Sequence, residues 1–181
     1  QDRLPTELLI EEDGDLSVYY APFDYINTEA KIVICGITPG FQQAILALEE
    51  ASIQLRQEAT LEAAELAAKN TASFGGPMRS NLIRLLDYIG IAQKLDIESC
   101  SELFGGKSYL VHYTSALRYP VFKSQKNYSG TPSMVSKPIL RKQLENYLFP
   151  ELQQLSSSTL IVPLGPKVEE ALSLAVKTGC L

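Results

Sequence analysis

The segment Gly36-Ile37-Thr38-Pro39-Gly40 closes a continuous apolar run and stands just ahead of a long helical stretch. Its glycines let a ligand approach the backbone closely. The helix start behind it turns main-chain N–H groups toward an anion or a carbonyl oxygen. The loop is not a phosphate loop, because the Gly-Lys-Ser/Thr ending is missing, and it lacks the dinucleotide fingerprint. A second stretch, Tyr119-Pro120-Val121-Phe122 through Asn127-Tyr128-Ser129-Gly130-Thr131-Pro132, interleaves aromatics with Lys123 and Lys126. Such a loop can follow a single nucleic-acid strand or wedge into a duplex. A packed surface loop explains it equally well. His112 is the only histidine. Strand alternation puts His112 and Thr114 on one face and Ser115 on the other, and a buried, hydrogen-bonded structural role is expected for His112.

The elements that must position these residues follow from periodicity. Residues 31–37 hold a continuous apolar run after Lys31, bounded by polar residues and a Pro-Gly, which suits a strand buried on both faces. Residues 108–117 and 159–165 are expected as two more core strands. Residues 16–23 read as a short extended arm ending at a proline. Residues 42–69, rich in Ala, Leu and Glu, predict a helix broken once near Ala59 and Thr60. Further helices are predicted over 80–89, with Leu82, Leu85, Leu86 and Ile89 on one face, over 138–155 with a bend near Pro150, and over 166–177. Residues 118–137 are expected to be a long irregular, functional stretch. Strands separated by helices imply an α/β fold, a three-layer α/β/α sandwich with a central parallel sheet. Ligands in such sheets bind beyond the carboxyl ends of the strands. The loops after Ile37, Leu117 and Gly165 should therefore meet at one site.

The chain has 181 residues, with 45% hydrophobic and 20% charged, which fits a single domain over 1–181 with one core. No apolar run approaches the roughly 18 residues of a membrane span. The start, Gln1-Asp2-Arg3-Leu4-Pro5, does not resemble a signal peptide. Cys35, Cys100 and Cys180 are odd in number and widely spaced, which argues for free thiols in a reducing, cytoplasmic setting and against a disulfide framework or a zinc site. Net charge is −5, but thirteen acids and three bases lie between Asp2 and Glu65. Between Glu102 and Glu145 there are no acids, only Lys107, Arg118, Lys123, Lys126, Lys137, Arg141 and Lys142. A patch of one sign can face phosphates on a protein of opposite net charge.

Gly36-Ile37-Thr38-Pro39-Gly40 resembles the first motif of the uracil-DNA glycosylase superfamily, which reads Gly-x-x-Pro-Gly in its mismatch-specific and thermostable branches. In that family the third position helps place the attacking water and is Asn or Glu. Here it is Thr38, whose hydroxyl can bond a water but is a poor general base. Phe74-Gly75-Gly76-Pro77-Met78-Arg79-Ser80-Asn81-Leu82 is similar to the thermostable branch's loop ahead of a Leu-rich helix. The resemblance puts Phe74 on the aromatic that stacks on the flipped base, with Arg79 and Asn81 at the pocket mouth. His112-Tyr113-Thr114-Ser115-Ala116-Leu117-Arg118-Tyr119-Pro120 resembles the strand ending in Thr-Asn-x-x-Lys. It places Ser115 where the family reads the base edge and Arg118 at the lysine. A serine lacks the paired donor and acceptor of an amide. Val162-Pro163-Leu164-Gly165 resembles the family's third strand. The family's final strand and His-Pro-Ser-type segment find no match before Leu181, so the last strand and helix of the pattern are not seen.

What the resemblance implies is a metal-free, cofactor-free DNA-base glycosylase that flips a damaged base from DNA, single-stranded or duplex, into a pocket. Thr38 would be catalytic. Gly36, Ile37, Pro39, Gly40, Phe74 and Ser115 would form the base pocket, and Arg79, Asn81, Arg118, Lys123 and Lys126 would hold nucleic acid. The thermostable branch's iron–sulfur cluster needs four cysteines and is not expected. The alternative is a catalytically silent nucleic-acid or nucleobase binder on the same fold. An unrelated nucleotide-binding α/β enzyme would need a phosphate loop, and none is present.

Overall fold

The computed structural model describes residues 4–181. The expectation drawn from the polar start of the chain falls mostly on residues 1–3 and lies outside the described residues. Strand β3 (Ile32–Gly36) is buried along its whole length. It is the middle of a three-stranded parallel sheet, flanked by β4 (Val111–Ser115) and β7 (Leu160–Pro163). Val33 and Cys35 enter one core with Leu140, Leu144, Val168 and Leu172. Ile32 and Ile34 enter a second core with Leu82, Leu86 and Leu103. Burial on both faces is why this strand carries no alternation in the sequence. Register places Gly36 opposite Ser115 and Cys35 opposite Pro163, so three strand ends are level.

The helical stretch after Gly40 forms α1 (Phe41–Arg56) and α2 (Leu61–Ala72), with the break where it is expected. Thr60 starts α2 by accepting the Ala63 N–H on its hydroxyl. Ala44, Ala47, Ala64, Ala68 and Ala72 are buried completely, and their small side chains let the two helices lie against each other. Next come α3 (Pro77–Tyr88), which begins three residues earlier than expected, and the short α4 (Ile91–Leu95). The stretch after Lys137 is α5 (Pro138–Gln143), one wide π turn (Leu144–Leu148) and α6 (Phe149–Leu152). Pro150 has no N–H to give and its ring crowds the carbonyl four residues back, which a widened turn relieves. Finally α7 (Pro166–Lys177) packs back on the sheet.

A second sheet departs from the expected layout. It is antiparallel, in the order β1-β2-β5-β6, from β1 (Leu9–Asp13), β2 (Leu16–Tyr19), β5 (Val121–Lys123) and β6 (Lys126–Asn127). The supposed arm is thus half of a hairpin, and the irregular stretch contains another. Its tight turn holds Ser124 and Gln125 at φ 48° and 64°, the left-handed conformations that two-residue hairpin loops demand. The molecule is a mixed α/β protein with one parallel and one antiparallel sheet. Among the described residues, no helix is long and apolar enough to cross a membrane.

Candidate functional site

The carboxyl ends of β3 and β4, the loop before α3 and the β6 hairpin enclose a cleft of about 350 Å³, within the usual range of small-molecule sites. Its lining includes Gly36, Ile37, Thr38, Pro39, Gly40, Phe74 and Ser115. These come from three separate stretches, and the fold brings all of them to one place. At the floor is Gly36. A methyl group built on it would lie 3.5 Å from the Phe74 ring and 3.6 Å from the Ser115 hydroxyl. The absence of that one carbon therefore leaves open a space with an aromatic wall on one side and a hydroxyl on the other.

Phe74 is held by backbone geometry as well as packing. Its φ is 52°, in the left-handed region, and Gly76 follows at 73°. A bulky residue in that region is strained, and such strain concentrates at functional sites. The ring meets Tyr113 edge-on at 5.7 Å, and Tyr113 in turn stacks on Phe104 at 4.8 Å. The loop is fastened by Arg79, whose guanidinium donates to the carbonyls of Asn70, Thr71 and Ser73 and lies 4.7 Å over the Phe104 ring.

The Thr38 side chain is a brace. Its hydroxyl donates to the Tyr119 carbonyl at 3.0 Å and accepts from the Val121 N–H at 3.1 Å. Its only proton is committed to the Tyr119 carbonyl, so the role seen for this hydroxyl is structural. The start of α1 is held likewise: the Gly40 N–H donates to Gln43 Oε1 and the Phe41 N–H to Asn127 Oδ1, both at 2.9 Å. Among the described residues, no Asp, Glu or His lines the cleft.

The residues expected to hold nucleic acid divide. Arg118 lines the cleft, but its guanidinium donates to Glu151 Oε2 at 2.6 Å and lies 3.6 Å from Asp24. It is spent on carboxylates rather than offered to phosphates. Arg79 is spent on loop carbonyls. Asn81 accepts from Arg84 on the outer side of α3, away from the cleft lining. Lys123 and Lys126 face each other across the β5–β6 hairpin beside the cleft, outside its lining. The wider basic stretch is also partly neutralised, since Lys137 pairs with Asp13, Lys142 with Glu11 and Arg141 with Glu145.

A buried polar cluster behind the cleft escaped the sequence reading apart from His112. His112 Nε2 lies 2.8 Å from Glu151 Oε1, and both residues are 1% exposed. The Asn27 N–H points at His112 Nδ1 at 3.4 Å. Nδ1 is therefore the acceptor, Nε2 carries the proton, and the ring is neutral. Burial, with Lys69 and Arg118 nearby, lowers the His112 pKa from its ordinary value despite the Glu151 carboxylate. Glu151 is held well below the usual carboxylate range. Burial works against that, but the hydrogen bond from His112 and the charges of Lys69 and Arg118 prevail. The Tyr119 hydroxyl donates to Asp24 at 2.6 Å. Lys69 lines the cleft and is 4% exposed. A signal was present: Glu151 falls on the apolar stripe of Leu144 and Leu148, and Lys69 beside Ala68 and Ala72 on the buried face of α2. A charge on a buried stripe needs partners.

Fold and cleft together define a mixed α/β protein whose candidate ligand site lies beyond the carboxyl ends of a parallel sheet. The chain is 38% identical over 182 residues to YoxB, an uncharacterized protein of Bacillus subtilis (strain 168), a match spanning 99% of this chain and 71% of that protein. It belongs to the same family as YoxB. No family model matches the sequence, and no solved structure matches it.

Proposed function

We propose that this chain is a uracil-DNA glycosylase-like protein, its parallel sheet the centre of a three-layer α/β/α arrangement, and that it takes a base flipped out of single-stranded DNA into the cleft. The observation that carries this reading is the convergence of Gly36, Phe74 and Ser115 on one slot. A flat heterocycle would lie over Gly36 against the Phe74 ring, a contact worth about 1–3 kcal/mol for base–aromatic stacking. The Ser115 hydroxyl would meet its edge, and Lys123 and Lys126 would meet the backbone. Three widely separated cysteines fit a reducing compartment, and the cytoplasm is the location that goes with this reading.

Binding without hydrolysis is the activity favoured. Water attack at the sugar needs a group to take its proton, while the Thr38 hydroxyl is committed and the lining holds no carboxylate or imidazole. One observation speaks for hydrolysis instead. Lys69 and Arg118 both stand in the cleft wall, and cations there would stabilise a departing base anion. Single-stranded oligonucleotides carrying uracil, hypoxanthine or xanthine separate the two. Saturable binding without free base is the expected result. Release of base above the buffer rate would establish a glycosylase, and no binding to any of them would remove the nucleic-acid reading.

A further inference from the structure

We infer that Lys69 is a reactive amine of the cleft, condensing with an aldehyde that enters it, the aldehyde class being the ring-opened deoxyribose of an abasic site in single-stranded DNA. The choice of that aldehyde rests on the reading of the cleft as a nucleotide site, whereas the reactivity of the amine does not.

The placement of Lys69 is unusual for a lysine. Its long side chain is 4% exposed, on the buried face of α2 among Ala64, Ala68 and Ala72. Lys69 and Tyr113 line both the cleft and a neighbouring cavity of about 130 Å³ that holds Tyr25, Asn27 and His112. Lys69 is thus part of the partition between two hollow spaces. It donates to the Tyr25 carbonyl at 2.5 Å. Of the carboxylates nearby, Glu151 holds His112 and Arg118, and Asp24 holds Tyr119 and Arg118 through Oδ1, its buried Oδ2 having no hydrogen-bond partner. Among the described residues, Lys69 forms no ion pair of its own.

Glu151 from α6, Asp24 from the loop after β2 and Glu65 from α2 itself favour the ammonium, Arg118 opposes it, and His112 from β4 is neutral. Burial outweighs them, and the Lys69 pKa is pushed down to about 8. Near neutrality its uncharged fraction therefore exceeds that of a surface lysine, at about 10.4, by on the order of a hundredfold. Only the uncharged amine has a lone pair to give.

The step balances without a further reagent. The Nζ lone pair attacks the aldehyde carbon and the C–N bond forms, while the carbonyl oxygen takes up a proton and a carbinolamine results. The C–O bond then breaks, water departs, nitrogen loses its remaining proton and the imine is left. Adding cyanoborohydride would reduce the imine to a stable secondary amine, so the adduct can be mapped.

The test uses the full chain at pH 7 with cyanoborohydride and two probes: an oligonucleotide with one abasic site, and pyridine-4-carboxaldehyde. Peptide mass spectrometry locates the adduct. Both probes trapped on Lys69, at least tenfold above any other lysine, is the expected result. A Lys69→Arg variant should lose that adduct while its other lysines label as they do in the parent. If the aromatic aldehyde marks Lys69 and the abasic strand does not, the amine is reactive and the abasic-DNA part of the inference fails. Labelling of Lys69 no faster than of the surface lysines would overturn the inference altogether.

Discussion

Replacing Thr38 by valine keeps the shape of the side chain and removes its hydroxyl. The Val121 N–H and Tyr119 carbonyl would then be left unpaired, at a cost of about 1–3 kcal/mol for groups withheld from water. Thr38→Ser restores both bonds and should stay close to the parent. Urea unfolding of the pair checks this, and equal midpoints would mean that the hydroxyl is not a brace. His112 offers a cleaner reading still, because it is the only histidine in the chain. Its Nδ1 accepts from Asn27 and its Nε2–H donates to Glu151, so ¹⁵N NMR should show the Nε2–H tautomer. Its titration midpoint should fall below about 6.5, the unperturbed value. A midpoint above that would place an imidazolium beside Glu151 and contradict the cluster as described.

At the scale of elements, Glu151 ties α6 to β4 and to the chain after it. Glu151→Gln removes the one carboxylate that answers both His112 and Arg118 at close range, and breaking a buried pair on one side costs about 3–5 kcal/mol. The pH dependence has a definite sign. The carboxyl is depressed in the folded protein, so its contribution is complete above its unfolded value of about 4.3 and is lost as pH falls toward the folded value. Thermal melts from pH 5 downward should thus show a steeper loss in the parent than in Glu151→Gln. Parallel curves would deny Glu151 that role. The elements themselves were unequally legible. β3 announces itself because both faces are buried and every residue is apolar, and α1 and α2 because 34 residues pass without Gly or Pro between Gly40 and Gly75. The β5–β6 hairpin does not. Its strands have three and two residues, too few for alternation to show, and β5 pairs with β2 across a hundred positions of chain. The buried cluster was hidden for the same reason, since Asp24, Lys69, Arg118 and Glu151 meet only through the tertiary fold.

Across the whole molecule, charge placement limits how nucleic acid is held. The acidic β1 and β1–β2 turn pair with Lys137, Lys142 and, through Asp15, the Ser124 hydroxyl. Much of the basic stretch is thereby paired with carboxylates of the protein itself. Lys123 and Lys126 remain beside the cleft, so single-stranded DNA binding should weaken with salt along a shallow logarithmic slope of about −1.4, two phosphates at roughly 0.7 each. A slope several times steeper would require a basic surface that the fold does not present. The meeting of the Gly36 and Ser115 stretches was legible from their positions at strand ends and Phe74 only from the resemblance, but the commitment of Thr38, Arg79 and Arg118 to internal partners was not, because hydrogen-bond partners distant in sequence leave no trace in residue type.

The slot over Gly36 is tested most directly by amide NMR of the protein titrated with a uracil-bearing single strand, for the parent and for Gly36→Ala. The added methyl meets only ordinary contacts at 3.5 and 3.6 Å, so the fold should persist while the slot fills. The account predicts saturable shifts at Gly36, Gly40, Phe74, Ser115 and Tyr128 in the parent and at least a tenfold loss of affinity in the variant. Shifts gathered elsewhere on the surface, or equal affinity for both proteins, would contradict it.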